Sequence, residues 1–256
     1  MSRFLFVHGV YHGPECWDAV TEELRSLGHE CHALALQGHG KEDRASFDFR
    51  GVGYRDYLND VRAELRQVGT DTLLVGHSLG GMLVRSIVAE EEVRGAVLLC
   101  VPTPASLRRG VALLLRRFPR ATLRFLLTLR SESLYHEPSV VPWLFWSTPP
   151  REVPDPAWLE QVLSLREPRR LFWDVQWVRF RPQQPGTQLL VLGGQRDFAL
   201  TEAGLRAVAD FHGAPLDMIP GAPHDVMLTH PGELATRLHA FAAQVRTGPT
   251  GTDGNP

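Results

Sequence analysis

The sequence of 256 residues is short of cysteine and lysine, and each shortage excludes a class of protein. Its three cysteines, Cys16, Cys31 and Cys100, form no CxxC pair, which argues against a disulfide scaffold or a zinc ribbon. Lys41 is the single lysine among 27 basic residues, and 29 acidic residues bring the net charge to -2. The clear basic excess of a nucleic-acid-binding protein is therefore missing, and we expect no nucleic-acid partner.

Long hydrophobic runs are also missing. The N-terminus has only four consecutive apolar residues, 4–7, before His8. A secretory signal needs about 7–15 apolar residues, and a transmembrane helix needs about 20. We therefore expect no transmembrane segment and a cytoplasmic location.

Short apolar runs alternate with amphipathic stretches through most of the chain. Strands are predicted at residues 3–7, 31–36, 72–75, 96–101, 189–192 and 216–219. Helices are predicted at residues 17–27, 57–68, 78–91, 202–211 and 233–245. This alternation predicts the α/β class, with a doubly wound, mostly parallel sheet of about six strands.

Residues 102–185 interrupt the alternation. They hold 12 of the 19 prolines and five of the six tryptophans, and short helices are predicted at 159–165 and 171–178. We interpret this stretch as a helical lid inserted into a core of residues 1–101 and 186–246, with a disordered tail at 247–256. The lid carries a run of arginines, which fits a solvated helix face, an anionic substrate or a membrane surface: Arg108, Arg109, Arg116, Arg117, Arg120, Arg124 and Arg130.

A Gly-x-Ser-x-Gly pattern, Gly76 to Gly80, lies between a predicted strand and a predicted helix. Glycines two positions either side of Ser78 let the strand and the helix approach closely around a sharp turn. The turn raises the serine oxygen above the sheet edge, and the helix N-terminus favours developing negative charge there. The pattern predicts that Ser78 is a catalytic nucleophile.

An activated serine needs a base and an acid that orients it, in the order serine, acid, histidine along such a chain. Asp197 and His224 each follow a predicted strand in the second half, where parallel strands end at a ligand-binding crevice. His230 is the rival base, but it precedes Pro231 at a predicted helix start, where capping suits it better. We therefore predict Asp197 as the acid and His224 as the base.

Two backbone N–H groups should bind the oxyanion: Leu79, directly after the nucleophile, and Val10, in the loop after the first strand. The histidines near these positions, His8, His12 and His77, are interpreted as structural. None of them has the spacing with a carboxylate that a metal site needs, so we predict no metal.

Four segments, HGVYHGPECW, GHSLGG, GGQRD and PHDVML, together resemble the α/β-hydrolase superfamily, and within it the esterase and hydroxynitrile-lyase branch that includes plant methylesterases. The resemblance implies a helical lid and a Ser-His-Asp mechanism without a cofactor. It implies Ser78, Asp197 and His224 as the triad and Val10 and Leu79 at the oxyanion positions.

The residue types also exclude some branches of this superfamily. Dehalogenases and epoxide hydrolases have aspartate where this chain has Ser78. Hydroxynitrile lyases of the branch rely on a lysine near the site, and Lys41 is far along the chain from the triad segments.

The expected function is hydrolysis of a small-molecule carboxylic ester with an apolar or aromatic acyl group, through an acyl-enzyme. Alternatives are thioester, lactone or carbon–carbon bond hydrolysis, perhydrolysis, and a ligand receptor on a hydrolase scaffold. No oligomeric state is predicted. The aromatic residues predicted to line the pocket, with packing of the lid as the alternative for each, are Tyr11, Trp143, Phe145, Trp146, Phe172, Trp173 and Trp177.

Overall fold

The computed structural model describes residues 1–135, 139–147, 163 and 166–245. In this part of the chain six strands form one parallel sheet, in the order β2-β1-β3-β4-β5-β6. The strands are β1 Arg3–Val7, β2 Glu30–Leu34, β3 Leu73–His77, β4 Gly95–Leu99, β5 Gln188–Gly194 and β6 Leu216–Ile219. Each neighbouring pair is parallel, so the predicted sheet is confirmed.

The helices connect these strands in the predicted alternation, after a 3-10 turn at Pro14–Trp17. They are α1 Asp18–Ser26, α2 Tyr54–Val68, α3 Leu79–Glu90, α4 Pro104–Arg117, α5 Pro119–Thr128, α6 Glu132–Tyr135, α7 Val140–Trp146, α8 Arg169–Asp174, α9 Glu202–His212, α10 Val226–Thr229 and α11 Pro231–Gln244. No helix among the described residues is both long and apolar enough to cross a membrane.

Both faces of the sheet are covered, as the apolar composition of its strands requires. Leu5 and Val7 of β1 belong to a buried cluster with side chains of α2, α3 and α9. Phe4 and Phe6, which point to the opposite face, belong to a second buried cluster with side chains of α1 and α11. The doubly wound arrangement follows from these two clusters.

Strand ends differ from the predictions where local backbone geometry intervenes. The strand predicted at 96–101 ends at Leu99, because Cys100 has a φ of 46° and leaves the extended conformation. The helix predicted at 171–178 is α8, Arg169–Asp174. Of the helix predicted at 159–165, only Leu163 is among the described residues, where it forms an isolated antiparallel bridge with His12; the tail predicted at 247–256 lies outside them.

The strand order places a switch point between β1 and β3. β2 lies beside β1 on one side, whereas β3, β4, β5 and β6 follow one another on the other side of β1. Ligands of open α/β sheets bind at the carboxyl ends of the strands at such a point. The loop after β1 and the turn after β3 meet at this place.

Candidate active site

Ser78 is on the sharp turn between β3 and α3, where its backbone has φ 51° and ψ −114°. Positive φ is uncommon for a residue with a side chain, and it persists only where the surroundings fix it. Its N–H donates to the Leu99 carbonyl oxygen at 2.9 Å, which ties the turn to β4. The residue is 8% exposed and lines a cavity.

The two glycines of the motif permit close backbone contacts on either side of this turn. A Cβ on Gly76 would collide with the backbone of Gly80, and a Cβ on Gly80 would collide with the Val7 carbonyl oxygen of β1. Both contacts are with backbone atoms, which cannot move aside cheaply. The spacing seen in the sequence is therefore a steric requirement of this strand-turn-helix junction.

Asp197 and His224 meet beside this turn. Asp197 follows β5 and His224 follows β6, and His224 Nδ1 donates to Asp197 Oδ2 at 2.6 Å. The other carboxylate oxygen, Oδ1, accepts the backbone N–H groups of Ala199 at 2.9 Å and Leu200 at 3.0 Å. The Asp197 side chain is fully buried, so these three donors fix both of its oxygens.

This arrangement also sets the tautomer of His224. Since Nδ1 carries the proton that bonds Asp197, the lone pair of the neutral ring is on Nε2. Burial lowers the pKa of His224, but the charge of Asp197, their hydrogen bond and the charge of Asp225 outweigh burial and leave the pKa raised. The ring is a base whose protonated form the protein stabilises.

The loop after β1 runs close to the nucleophile. A Cβ on Gly9 would lie 3.0 Å from the Ser78 Cβ and 2.9 Å from His77 Nδ1, so only glycine fits there easily. Val10 and Tyr11 line the same cavity as Ser78 and His224. Leu79 is the first residue of α3, where N–H groups have no partner within the helix. Val10 thus borders the cavity, and Leu79 directly follows Ser78, which also lines it.

Three buried histidines around this loop make hydrogen bonds to the backbone or to other side chains. His8 Nδ1 donates to the Gly9 carbonyl oxygen at 2.9 Å, and His77 Nε2 donates to the His224 carbonyl oxygen at 3.1 Å. His12 Nε2 is 3.1 Å from Asp225 Oδ2, with both side chains fully buried. Burial, joined by neighbouring histidines, holds the pKa of His8 and His77 well below the ordinary range, so both are neutral.

Among the described residues, one group has the composition of a metal site: His77, Cys100 and His224 have potential ligand atoms within 4.8 Å of one another. The group does not suit a metal. Burial, with the charge of Asp197 next, raises the pKa of the Cys100 thiol well above its ordinary value, whereas a metal binds the thiolate.

A cavity of about 590 Å³ opens above Ser78 and His224. That size lies within the range of about 300–1,000 Å³ that small-molecule sites have. Its wall is mostly apolar and comes largely from the helices between β4 and β5, with Leu107, Val111, Leu114, Phe125, Leu126, Leu129, Leu144, Phe145 and Phe172. Arg108 is the one arginine among the described lining residues.

The predicted pocket aromatics divide into two groups. Tyr11, Phe145, Phe172 and Trp173 line the cavity. The described lining does not include the other three, which pack elsewhere: Trp143 against Phe198, Trp146 against Phe145, and Trp177, 68% exposed, against Trp173. A short helix such as α7 has one face toward the cavity, so side chains near in sequence point in different directions.

One buried cluster near the site is missing from the sequence predictions. Glu167 accepts hydrogen bonds from the Tyr11 N–H at 2.6 Å and the Tyr57 hydroxyl at 3.2 Å, and its Oε1 is 3.1 Å from His39 Nε2. Burial lowers the pKa of His39, but the charge and hydrogen bond of Glu167 raise it above its ordinary value. These residues come from distant segments, and no local pattern marks any of them.

The proteins similar to this chain include several esterases. The chain is 27% identical over 263 residues to a carbendazim hydrolyzing esterase from Nocardioides sp. (strain SG-4G), covering 94% of this chain and all of that one. It is 38% identical over 83 residues to methyl jasmonate esterase 1 of Vitis vinifera, an alignment that covers 32% of this chain and 31% of the relative. A solved structure of a methylesterase from Arabidopsis, 17% identical, shares the fold with a TM-score of 0.66, covering 95% of this chain and 100% of that one. Residues 4–237 match the model of the "Alpha/beta hydrolase family", and the chain belongs to that family.

Proposed function

We propose that the protein is a carboxylesterase that uses Ser78 as nucleophile, His224 as general base and Asp197 as the acid that orients it. The observation that carries the proposal is the 2.6 Å hydrogen bond from His224 Nδ1 to Asp197 beside a serine in a strained turn. That bond leaves His224 Nε2 as the proton acceptor in the cavity that Ser78 also lines.

The mechanism has two halves. Ser78 Oγ attacks the ester carbonyl carbon while its proton passes to His224 Nε2. The oxyanion that forms accepts hydrogen bonds from the backbone N–H groups of Val10 and Leu79. The tetrahedral intermediate collapses, the ester oxygen takes the proton from His224, and the alcohol leaves. Water then attacks the acyl-enzyme with His224 again as base, which releases the carboxylic acid and restores Ser78.

The substrate proposal rests on the cavity and on the relatives. An apolar wall with few polar groups favours an aliphatic or aromatic acyl group over a charged one. The helices between β4 and β5 supply most of this wall, and we assign them the role of a lid over the core. The named relatives act on carbendazim or methyl jasmonate, which makes esters of small organic acids the first substrates to test. Cytoplasmic location stays a prediction of the sequence.

The test uses p-nitrophenyl esters of increasing acyl length and a fluorophosphonate probe. We expect turnover, covalent labelling at Ser78, and loss of both in Ser78→Ala. Ser106 also lines the cavity, but its side chain hydrogen-bonds to Thr103 and not to a histidine. Ser106→Ala is therefore the matched control and should keep both signals.

Thioesters and lactones with the same acyl group extend the panel, and a preference for either would replace the ester assignment. Absence of turnover on every substrate, together with absence of labelling, would refute the catalytic proposal and favour a ligand receptor on this scaffold.

A further inference from the structure

The buried carboxylate of Glu167 contacts the backbone of the loop that holds the proposed oxyanion donor. Its side chain is 1% exposed, and it precedes α8 in a segment far along the chain from β1. Oε1 accepts the Tyr11 N–H at 2.6 Å. The isolated backbone bridge between His12 and Leu163 brings the same two segments together.

This contact is one half of a clamp on a single peptide group. The peptide that joins Val10 to Tyr11 donates its N–H to Glu167, and its carbonyl oxygen accepts His12 Nδ1 at 2.8 Å. The preceding peptide is held too, because the Gly9 carbonyl oxygen accepts His8 Nδ1 at 2.9 Å. In a trans peptide the N–H points opposite to the C=O, so His8 directs the Val10 N–H to the other side of the loop.

The clamp offsets a conformational cost. Tyr11 has a φ of 68°, in the left-handed region that bulky side chains rarely adopt. Strain of that kind persists only where neighbouring groups fix the backbone. A charged acceptor on the Tyr11 N–H is a strong means of fixing it, since hydrogen bonds to a charged group are about twice as strong as neutral ones.

The carboxylate is also fully compensated. His39 Nε2 lies 3.1 Å from its Oε1 and His39 Nδ1 lies 3.2 Å from the Gln37 carbonyl oxygen; burial lowers the pKa of His39, but the charge and hydrogen bond of Glu167 outweigh burial and raise it. The Tyr57 hydroxyl donates to the second oxygen at 3.2 Å. A buried carboxylate needs partners of this kind, and these two come from the loop after β2 and from α2.

We propose that Glu167 is a positioning residue for the oxyanion hole: by holding the Val10–Tyr11 peptide, it fixes the backbone on the C-terminal side of Val10, while His8 holds the Gly9–Val10 peptide that carries the Val10 N–H. The segment before α8, which contains Glu167, thereby helps to form the oxyanion hole on which acyl transfer depends. This inference rests on the proposed function for its catalytic consequence but not for its structural one.

The catalytic test is Glu167→Gln, which keeps the size of the side chain and removes its charge. We expect kcat for a p-nitrophenyl ester to fall about 10- to 100-fold with KM changed less than threefold, since misplacing one oxyanion donor acts on the transition state. Binding of a trifluoromethyl ketone, which forms an oxyanion on Ser78, should weaken by the same factor, while binding of the carboxylic acid product stays within threefold.

Two control variants separate positioning from general stability. Tyr57→Phe removes a hydrogen-bond donor from the Glu167 carboxylate but leaves the contact of Glu167 with Tyr11. Asp60→Asn removes the charge from a different carboxylate, which accepts the Gln37 N–H at 3.0 Å in the neighbouring loop. We expect both to lower the melting temperature and to keep kcat within threefold. Equal kcat losses in the controls and in Glu167→Gln would overturn the proposal, as would an unchanged kcat in Glu167→Gln.

A second measurement does not depend on catalysis. Hydrogen exchange of peptides covering residues 8–13 should be at least about tenfold faster in Glu167→Gln than in the wild type or Asp60→Asn. If Glu167→Gln does not fold, Glu167→Asp, which withdraws the carboxylate by one methylene, should show the same effects at smaller size. Unchanged exchange at residues 8–13 would refute the clamp. An inactive, unlabelled wild type with the expected exchange difference would refute the proposed function alone.

Discussion

Replacing Asp197 by asparagine tests the role of the acid without removing its shape. Asp197 Oδ1 accepts two backbone N–H groups, at 2.9 and 3.0 Å, and Oδ2 accepts His224 Nδ1 at 2.6 Å. An asparagine has one oxygen and one NH2 group. The N–H groups of Ala199 and Leu200 need an acceptor, so the asparagine oxygen faces them and its NH2 group faces His224.

The consequence is a change of tautomer. Facing an NH2 donor, His224 Nδ1 must become an acceptor, and the ring proton moves to Nε2. Nε2 then has no lone pair to take the proton from Ser78. The same change in a serine-histidine-aspartate triad costs about 10⁴ in kcat, and at about 1.36 kcal/mol per tenfold this is about 5.4 kcal/mol of transition-state stabilisation.

The assay is kcat/KM for a p-nitrophenyl ester at neutral pH, with thermal unfolding as the check on folding. Asp217→Asn is the matched control, because Asp217 is exposed on β6 and its carboxylate pairs with half-buried Arg237 at 2.8 Å. We expect the control to keep its activity within twofold. A loss of less than tenfold in folded Asp197→Asn would refute the assignment of Asp197 as the acid.

Three further predictions concern other parts of the site. In a pH profile of kcat/KM, activity should fall with a slope of one proton as pH drops through the pKa of His224, because the base must be neutral. The midpoint should lie above the ordinary value of 6.5, since the pKa of His224 is raised, and a midpoint below 6.5 would contradict this. Gly80→Ala should destabilise the protein by about 3 kcal/mol or more in urea unfolding, because its Cβ would collide with a carbonyl oxygen of β1, whereas Gly232→Ala, with open space around it, should not. Val111→Trp should fill part of the cavity and reduce kcat/KM for hexanoate esters more than for acetate esters. Ala112→Trp, on the exposed face of α4, should leave the ratio of the two kcat/KM values unchanged. An equal hexanoate-to-acetate ratio in the two variants would place the acyl group elsewhere.

The cysteines illustrate how burial removes reactivity. Cys100 directly follows β4, next to the Asp197–His224 pair, and burial, with the charge of Asp197 next, raises its thiol pKa well above the ordinary range. Since only the thiolate is a nucleophile, Cys100 is a small apolar packing group in the second core cluster. Cys16 and Cys31 are buried free thiols as well, which agrees with the absence of paired cysteine motifs in the sequence.

Local patterns were sufficient for the sheet and for the positions of the candidate triad. Alternating apolar runs and amphipathic stretches have periods set by the geometry of strands and helices, so they identify β1 to β6 in order. The glycine spacing around Ser78 reflects a collision that only glycine avoids, and the positions of Asp197 and His224 follow from where parallel strands end. Each of these signals depends on a few neighbouring residues.

The cavity wall and the Glu167 clamp depended on tertiary structure. Whether a tryptophan of α7 or α8 faces the cavity is a matter of helix rotation and docking, which composition does not specify. Trp173 of α8 lines the cavity, while Trp143 and Trp146 of α7 pack elsewhere. Glu167 is 156 residues from Tyr11 along the chain. The sequence by itself therefore determined the sheet, its connections and the chemistry-bearing residues at the strand ends, because those are local. The shape of the pocket and the fixing of the oxyanion loop were decided only by long-range packing, in which residues without a local signature are brought into contact.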